Sequence, residues 1–192
     1  MIFDLITIIF MGVLLLLAIY IVFKFLGKFP NRTVHDVAPY LRPTDMETFQ
    51  AILGPAEETD FRLRLSPEEF SQIQRKRVHL LYEHLLRMSH NALVLTEWGN
   101  MEWTGPQNKA KRQLGQKLAQ AGVEFRLYSI LALVKLRLWL MFKPLLAVHS
   151  LTEMRKVAGI DAVQAYMRLK LTAESLGGLY GREYQQDLSS RL

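Results

Sequence analysis

The sequence predicts an all-α protein in which a single N-terminal transmembrane helix is followed by a small cytoplasmic helical bundle. Three observations lead to this prediction: residues 5–23 carry no charged side chain, helix start signals recur along the rest of the chain, and residues 125–148 form a second apolar run. The expected organisation is a transmembrane anchor over 1–27, a juxtamembrane linker over 28–43, a helical domain over 44–180 and a frayed C-terminal tail over 181–192.

The uncharged run is long enough to cross a bilayer. At 1.5 Å per residue it spans about 28 Å, close to the hydrocarbon thickness, and a lone segment in lipid must be helical to satisfy its backbone. A cleavable signal peptide is disfavoured because Asp4, not a basic residue, precedes the run, and no small-residue cleavage site follows it. Lys24, Lys28 and Arg32 flank only its C-terminal end, so the later residues are expected in the cytoplasm, at a plasma or inner membrane.

Composition excludes several chemistries. The chain has no cysteine, which removes disulfides, thiolate metal sites and cysteine nucleophiles. The net charge of +6 is unevenly distributed, since residues 103–152 hold eight Lys and Arg and a single acid, whereas residues 33–102 are acidic overall. We expect the basic block to meet an anionic surface: lipid headgroups, nucleic acid or the acidic part of the same chain.

Local signals divide the first part of the domain. Thr44 and Glu47 form a capping box that predicts a short helix ending near Leu53, where Gly54-Pro55 stops it. The alternating sequence Phe61–Leu65 is typical of a short strand.

A stronger start signal, Ser66-Pro67-Glu68-Glu69, predicts a helix that continues to about Trp98. Gly99-Asn100 and Thr104-Gly105-Pro106 then indicate a loop holding Trp98 and Trp103.

Two further helices are predicted in the basic and C-terminal parts. A basic helix runs from about Pro106 to Ala121 and ends at Gly122 as a left-handed cap. A capping box at Ser150–Glu153 opens a helix to about Leu176, after which Gly177, Gly178 and Gly181 indicate a loose end.

The apolar run Phe125–Val148 allows four interpretations. A membrane-spanning helix is disfavoured because Lys135 and Arg137 lie in its middle. A helix lying in the membrane surface is weakened because Lys135 falls opposite Arg126 and Arg137. A strand pair fits the alternation over 134–139. We favour a central helix of the bundle, with its long basic side chains reaching outward.

The sequence holds no phosphate-binding or nucleophile motif, and no cofactor is expected. One weak metal candidate exists: His79 and Glu83, one helical turn apart, could share an ion. His90 lies about 16 Å further along the same predicted helix, too far to join them. A solvated surface pair is the simpler interpretation.

Tryptophans and cations supply the candidate interface with the membrane or a partner. Beyond the juxtamembrane cations, the candidates are Trp98, Trp103, Lys109, Lys111, Arg112, Lys135, Arg137 and Trp139. Nucleic acid is not an expected partner, because the helix that follows the basic segment is too apolar to enter a groove.

These features favour a non-catalytic accessory, scaffold or assembly subunit of a membrane protein complex, with membrane lipids and other membrane proteins as partners. The first alternative is a lipid-engaging membrane-surface protein that uses the basic and apolar region 106–148. The second is a metal-dependent enzyme at His79 and Glu83.

Overall fold

The computed structural model describes residues 37–105, 108–142 and 162–192. A 3-10 turn over Ala38–Tyr40 precedes six α-helices: α1 Met46–Leu53, α2 Pro55–Arg64, α3 Pro67–Thr104, α4 Lys109–Phe142, α5 Ala162–Gly178 and α6 Arg182–Arg191. Within these ranges there is no strand, which confirms the all-α prediction. None of these helices combines the length and apolar character needed to cross a bilayer. The predicted anchor over 1–27 and linker residues 28–36 lie outside the described residues.

Helix α1 is capped by Asp45, and the predicted capping box of Thr44 and Glu47 is wrong. The Asp45 carboxylate accepts a hydrogen bond from the Thr48 backbone N–H at 3.0 Å. Hydrogen bonds from the side chain and backbone of Thr48 lower the pKa of Asp45. Thr44 has a distant partner instead, because its hydroxyl donates to the Leu192 carbonyl at 2.7 Å. This long-range contact holds Thr44 just outside the helix.

Residues 61–65 do not form the predicted strand, because helix α2 extends to Arg64. Pro55 occupies the first turn of α2, where its fixed φ suits a helix. Asp60 pairs with Arg64 at 2.7 Å, one turn apart on an exposed face. The alternating basic residues therefore supply helical ion pairs to the acidic stretch before them.

Helix α3 begins where the sequence predicts and ends later. The Ser66 hydroxyl accepts from the Glu69 N–H, while the Glu69 carboxylate accepts from the Ser66 N–H at 3.0 Å. This reciprocal capping box confirms the predicted start. The helix continues past Trp98 to Thr104, so the predicted loop holding both tryptophans is wrong.

Helix α4 is continuous through Gly122, so the predicted break there is wrong. The Asn108 side chain accepts from the Ala110 N–H at 2.6 Å just before the helix. The strand-pair interpretation is also wrong over 125–142, which are helical. Residues 143–148 of the apolar run lie outside the described residues.

Close glycine packing joins α3 and α4 in an antiparallel hairpin. A Cβ atom built on Gly99 would lie 2.6 Å from the Ala119 backbone nitrogen and 2.7 Å from the Gly115 carbonyl oxygen. Gly122 faces Thr96 of α3 in the same way. These glycines let the two helix backbones approach, which is why they do not end either helix.

Helices α5 and α6 close the bundle. Phe125 of α4 and Tyr166 of α5 pack with ring centroids 5.1 Å apart and ring planes tilted by 60°. Gly181, at φ 129°, turns the chain into α6, where Leu188 is fully buried. The frayed tail predicted for 181–192 is therefore wrong: its apolar residues pack against the bundle. The predicted capping box at 150–153 lies outside the described residues.

Candidate functional site

Eight of the predicted interface residues can be located, whereas Lys24, Lys28 and Arg32 lie outside the described residues. The tryptophans divide sharply by exposure. Trp98 is 1% exposed and Trp139 is 4% exposed, so both belong to the core and do not fit an interface role. Trp103, near the end of α3, is 45% exposed and retains the predicted accessibility.

The candidate metal pair is brought together on α3. His79 Nε2 lies 3.3 Å from Glu83 Oε1 on an exposed face of α3. Among residues 37–105, 108–142 and 162–192, no group of three His, Asp or Glu side chains is arranged to hold an ion. His90 has its own partner, the Tyr40 carbonyl at 3.1 Å. This geometry fits the simpler interpretation, in which His79 and Glu83 form a solvated pair on the helix surface.

The basic side chains at the start of α4 and in α3 differ in their exposure to solvent. Lys109 and Arg112 are exposed at the start of α4, whereas the Lys111 ammonium lies 3.5 Å from the centre of the Tyr180 ring. Arg77, in a basic run of α3, is buried and donates to the Ile52 carbonyl at 2.6 Å. Part of the basic charge therefore stabilises the domain itself.

The Lys111 contact belongs to an aromatic cluster that the sequence analysis did not find. Trp98 lies 6.3 Å from Tyr180 and 5.9 Å from Tyr184, measured between ring centroids. Glu102 is also buried. The pKa of Tyr180 is raised, first because its hydroxyl is partly removed from water and second because the Glu102 carboxylate disfavours a phenolate nearby. The cluster joins the end of α3 to the turn between α5 and α6. The glycines around Tyr180 had indicated a flexible end.

A row of apolar side chains lies exposed along α4. We call it the α4 seam: Val123, Leu127, Leu131, Val134, Leu138 and Met141. Four of its members are strongly exposed: Val123 49%, Leu127 60%, Leu131 51% and Met141 63%. Val134 and Leu138 are partly exposed. The row is about 27 Å long.

The seam lies opposite the face that α4 buries. At 100° per residue its six members fall within about 80° of arc, while Phe125, Leu133 and Leu136 point to the other side. From Leu127 onward the spacing alternates between four and three residues, which is typical of a coiled-coil seam.

Cations border the seam on both edges. On this helical wheel Lys135 lies about 40° beyond one edge and Arg137 about 40° beyond the other. Arg137 is exposed and Lys135 is partly exposed. Arg126 lies on the Arg137 side, and burial lowers its pKa, an effect opposed by Glu97. The acid nearest the seam, Glu124, already pairs with Arg168 of α5 at 3.6 Å.

Comparisons with protein-family models, curated proteins and solved structures give no match. The site therefore rests on the geometry of this chain. The signal for the seam was present in the sequence as the spacing from Leu127 to Met141, inside a run that is apolar on nearly every side. Only the packing of α4 shows which of those side chains stay exposed.

Proposed function

We propose that this protein is a membrane-anchored, non-catalytic accessory or scaffold subunit of a membrane protein complex. The observation that carries the proposal is the α4 seam on the closely packed α3–α4 hairpin. Exposing Leu127, Leu131 and Met141 to water is unfavourable at about 25 cal/mol per Å² of apolar surface, and covering them with a partner recovers that free energy. The uncharged run over 5–23 supports the membrane setting.

The test is purification of the full-length tagged protein from its native membrane in mild detergent. We expect membrane proteins to co-purify in fixed stoichiometry, as identified by mass spectrometry. A matched variant keeps the domain and replaces residues 1–27 with an unrelated single-spanning helix. It should lose partners held by the anchor and keep those held by the domain. A protein that purifies alone in both forms would contradict the proposal.

A lipid-engaging function is a second candidate, favoured by the cations on both edges of the seam. Each such cation near an anionic leaflet contributes up to about 1 kcal/mol. Hydrogen exchange of the full-length protein in nanodiscs tests it. Slower exchange over 127–141 in anionic nanodiscs, but not in zwitterionic ones, would support lipid binding. Equal exchange in both would argue against it.

A further inference from the structure

The shape and charge of the α4 seam identify the chemistry of its partner. We propose that the seam binds an amphipathic helix of another protein whose apolar stripe is bordered by Asp and Glu. This inference rests on the proposed function, because it names what the accessory subunit docks against.

The width of the seam favours a helix over a flat surface. An in-plane membrane helix needs a broad apolar face, whereas the opposite side of α4 is already occupied by core residues such as Leu133 and Leu136. What remains is a strip of about 80° with four–three spacing, the width that a single helix covers by knobs-into-holes packing.

The charges at the edges decide against a second copy of the same chain. In a coiled coil along this seam, Lys135 and Arg137 occupy the two positions that border the apolar core. A second copy offers no acid at these edge positions: in a parallel pairing each cation would face an uncharged residue five positions away, and in an antiparallel pairing the Lys135 edges, and likewise the Arg137 edges, would face each other. A helix with acids at the corresponding positions would instead form ion pairs on both edges, which sets both partner choice and orientation.

Site-specific photocrosslinking in the native membrane tests this directly. Benzoylphenylalanine replaces Leu131 in the full-length protein, and a matched protein carries it at Leu63, an 81% exposed leucine of α2 outside the seam. We expect the Leu131 probe to crosslink to one protein, at a helical segment with apolar residues spaced by three and four and flanked by acids. The Leu63 probe should not. Circular dichroism confirms that both proteins are folded.

Charge reversal at the edges supplies the second readout. Adding Lys135→Glu and Arg137→Glu to the Leu131 probe protein should lower the crosslink yield about fivefold, the loss expected for two exposed ion pairs. An unchanged yield would remove the acidic requirement and overturn the inference.

The other outcomes also decide the matter. Crosslinks to phospholipid, to a second copy or to nothing would each overturn the inference. If partners co-purify while the Leu131 probe crosslinks to none of them, the seam inference fails and the accessory function stands. If no partner co-purifies, the proposed function itself fails.

Discussion

The Asn91 side chain pairs with both backbone groups of Arg42. Its Oδ1 accepts from the Arg42 N–H at 2.7 Å, and its Nδ2 donates to the Arg42 carbonyl at 2.8 Å. The same Nδ2 donates to the Tyr166 hydroxyl at 3.1 Å. Asn91 is fully buried on α3, so this one amide fixes the segment before α1 to the helical bundle. The end of the predicted juxtamembrane linker is therefore held in place.

Replacing Asn91 with Asp should destabilise the domain by about 3 kcal/mol. A carboxylate can still accept from the Arg42 N–H, but it cannot donate to the Arg42 carbonyl, and it buries a charge. Urea unfolding followed by circular dichroism measures the loss. Asn100→Asp, at a partly exposed position of the same helix, is the matched control and should change stability by no more than about 0.5 kcal/mol. Equal effects would show that the Arg42 pairing is not stabilising.

Gly99→Ala should cost about 1–3 kcal/mol, even though alanine is the better helix former. The added methyl group would meet backbone atoms of Ala119 and Gly115, which cannot move without separating α3 from α4. Thermal unfolding measures the change. Gly178→Ala is the control, because its Cβ would meet only the flexible Gln185 side chain, at 3.4 Å. A stabilised Gly99→Ala protein would mean that the hairpin tolerates a wider spacing.

Acidification should destabilise the folded domain through His90, because the protonated ring would be a partly buried charge. The His90 Nε2–H donates to the Tyr40 carbonyl. Partial burial lowers the pKa of His90; the charge of Arg42 adds to this lowering, and the hydrogen bond to Tyr40 opposes it. As pH falls below the ordinary value of 6.5, the unfolded chain takes up a proton before the folded protein does. The contribution of neutral His90 to the free energy of unfolding is therefore complete above pH 6.5. It is lost as the pH falls from 6.5 through the lowered pKa of the folded protein.

The His90→Gln variant isolates this effect, because glutamine can still donate to Tyr40 but does not titrate. Urea unfolding of both proteins between pH 8 and pH 5 should show a smaller loss of stability in the variant. Parallel curves would contradict the assignment to His90.

Lys111→Met should cost about 0.5–1 kcal/mol through loss of the cation–π contact with Tyr180. Lys109→Met removes the same charge from an exposed position on the same helix and should have almost no effect on stability. Thermal unfolding of the two variants at equal ionic strength makes the comparison. Equal stabilities of the two variants would show that the Lys111–Tyr180 contact does not stabilise the domain. Lys111 would then be a surface cation, as the sequence predicted.

Local signals in this sequence were reliable where local chemistry decides the structure, as at the Ser66 capping box. They failed where distant contacts decide. Gly122 has the sequence context of a helix end, but its lack of a side chain serves the packing of α4 against Thr96. The alternation from Phe61 is equally compatible with one-turn ion pairs on a helix, and the acids that complete those pairs precede it.

The same limit applies to the candidate site. The sequence marked Trp98 and Trp139 as interface residues because tryptophan is frequent at interfaces, but both are buried. It could not separate Leu131 from Leu133, since both lie in one apolar run and only the orientation of α4 distinguishes them.

That distinction yields the last prediction. Leu131→Glu, at a residue that is 51% exposed in the seam, should change the free energy of unfolding by no more than about 0.5 kcal/mol, because the carboxylate stays in water. Leu133→Glu, two residues away and 4% exposed, places a carboxylate in the core and should cost at least about 3 kcal/mol. Urea unfolding of the full-length protein in the same detergent compares the pair. If Leu131→Glu proves as damaging as Leu133→Glu, the seam is internal packing and its proposed role as a docking surface fails. If Leu131→Glu is harmless to stability yet removes a co-purifying partner, the side chain is retained at that position for binding.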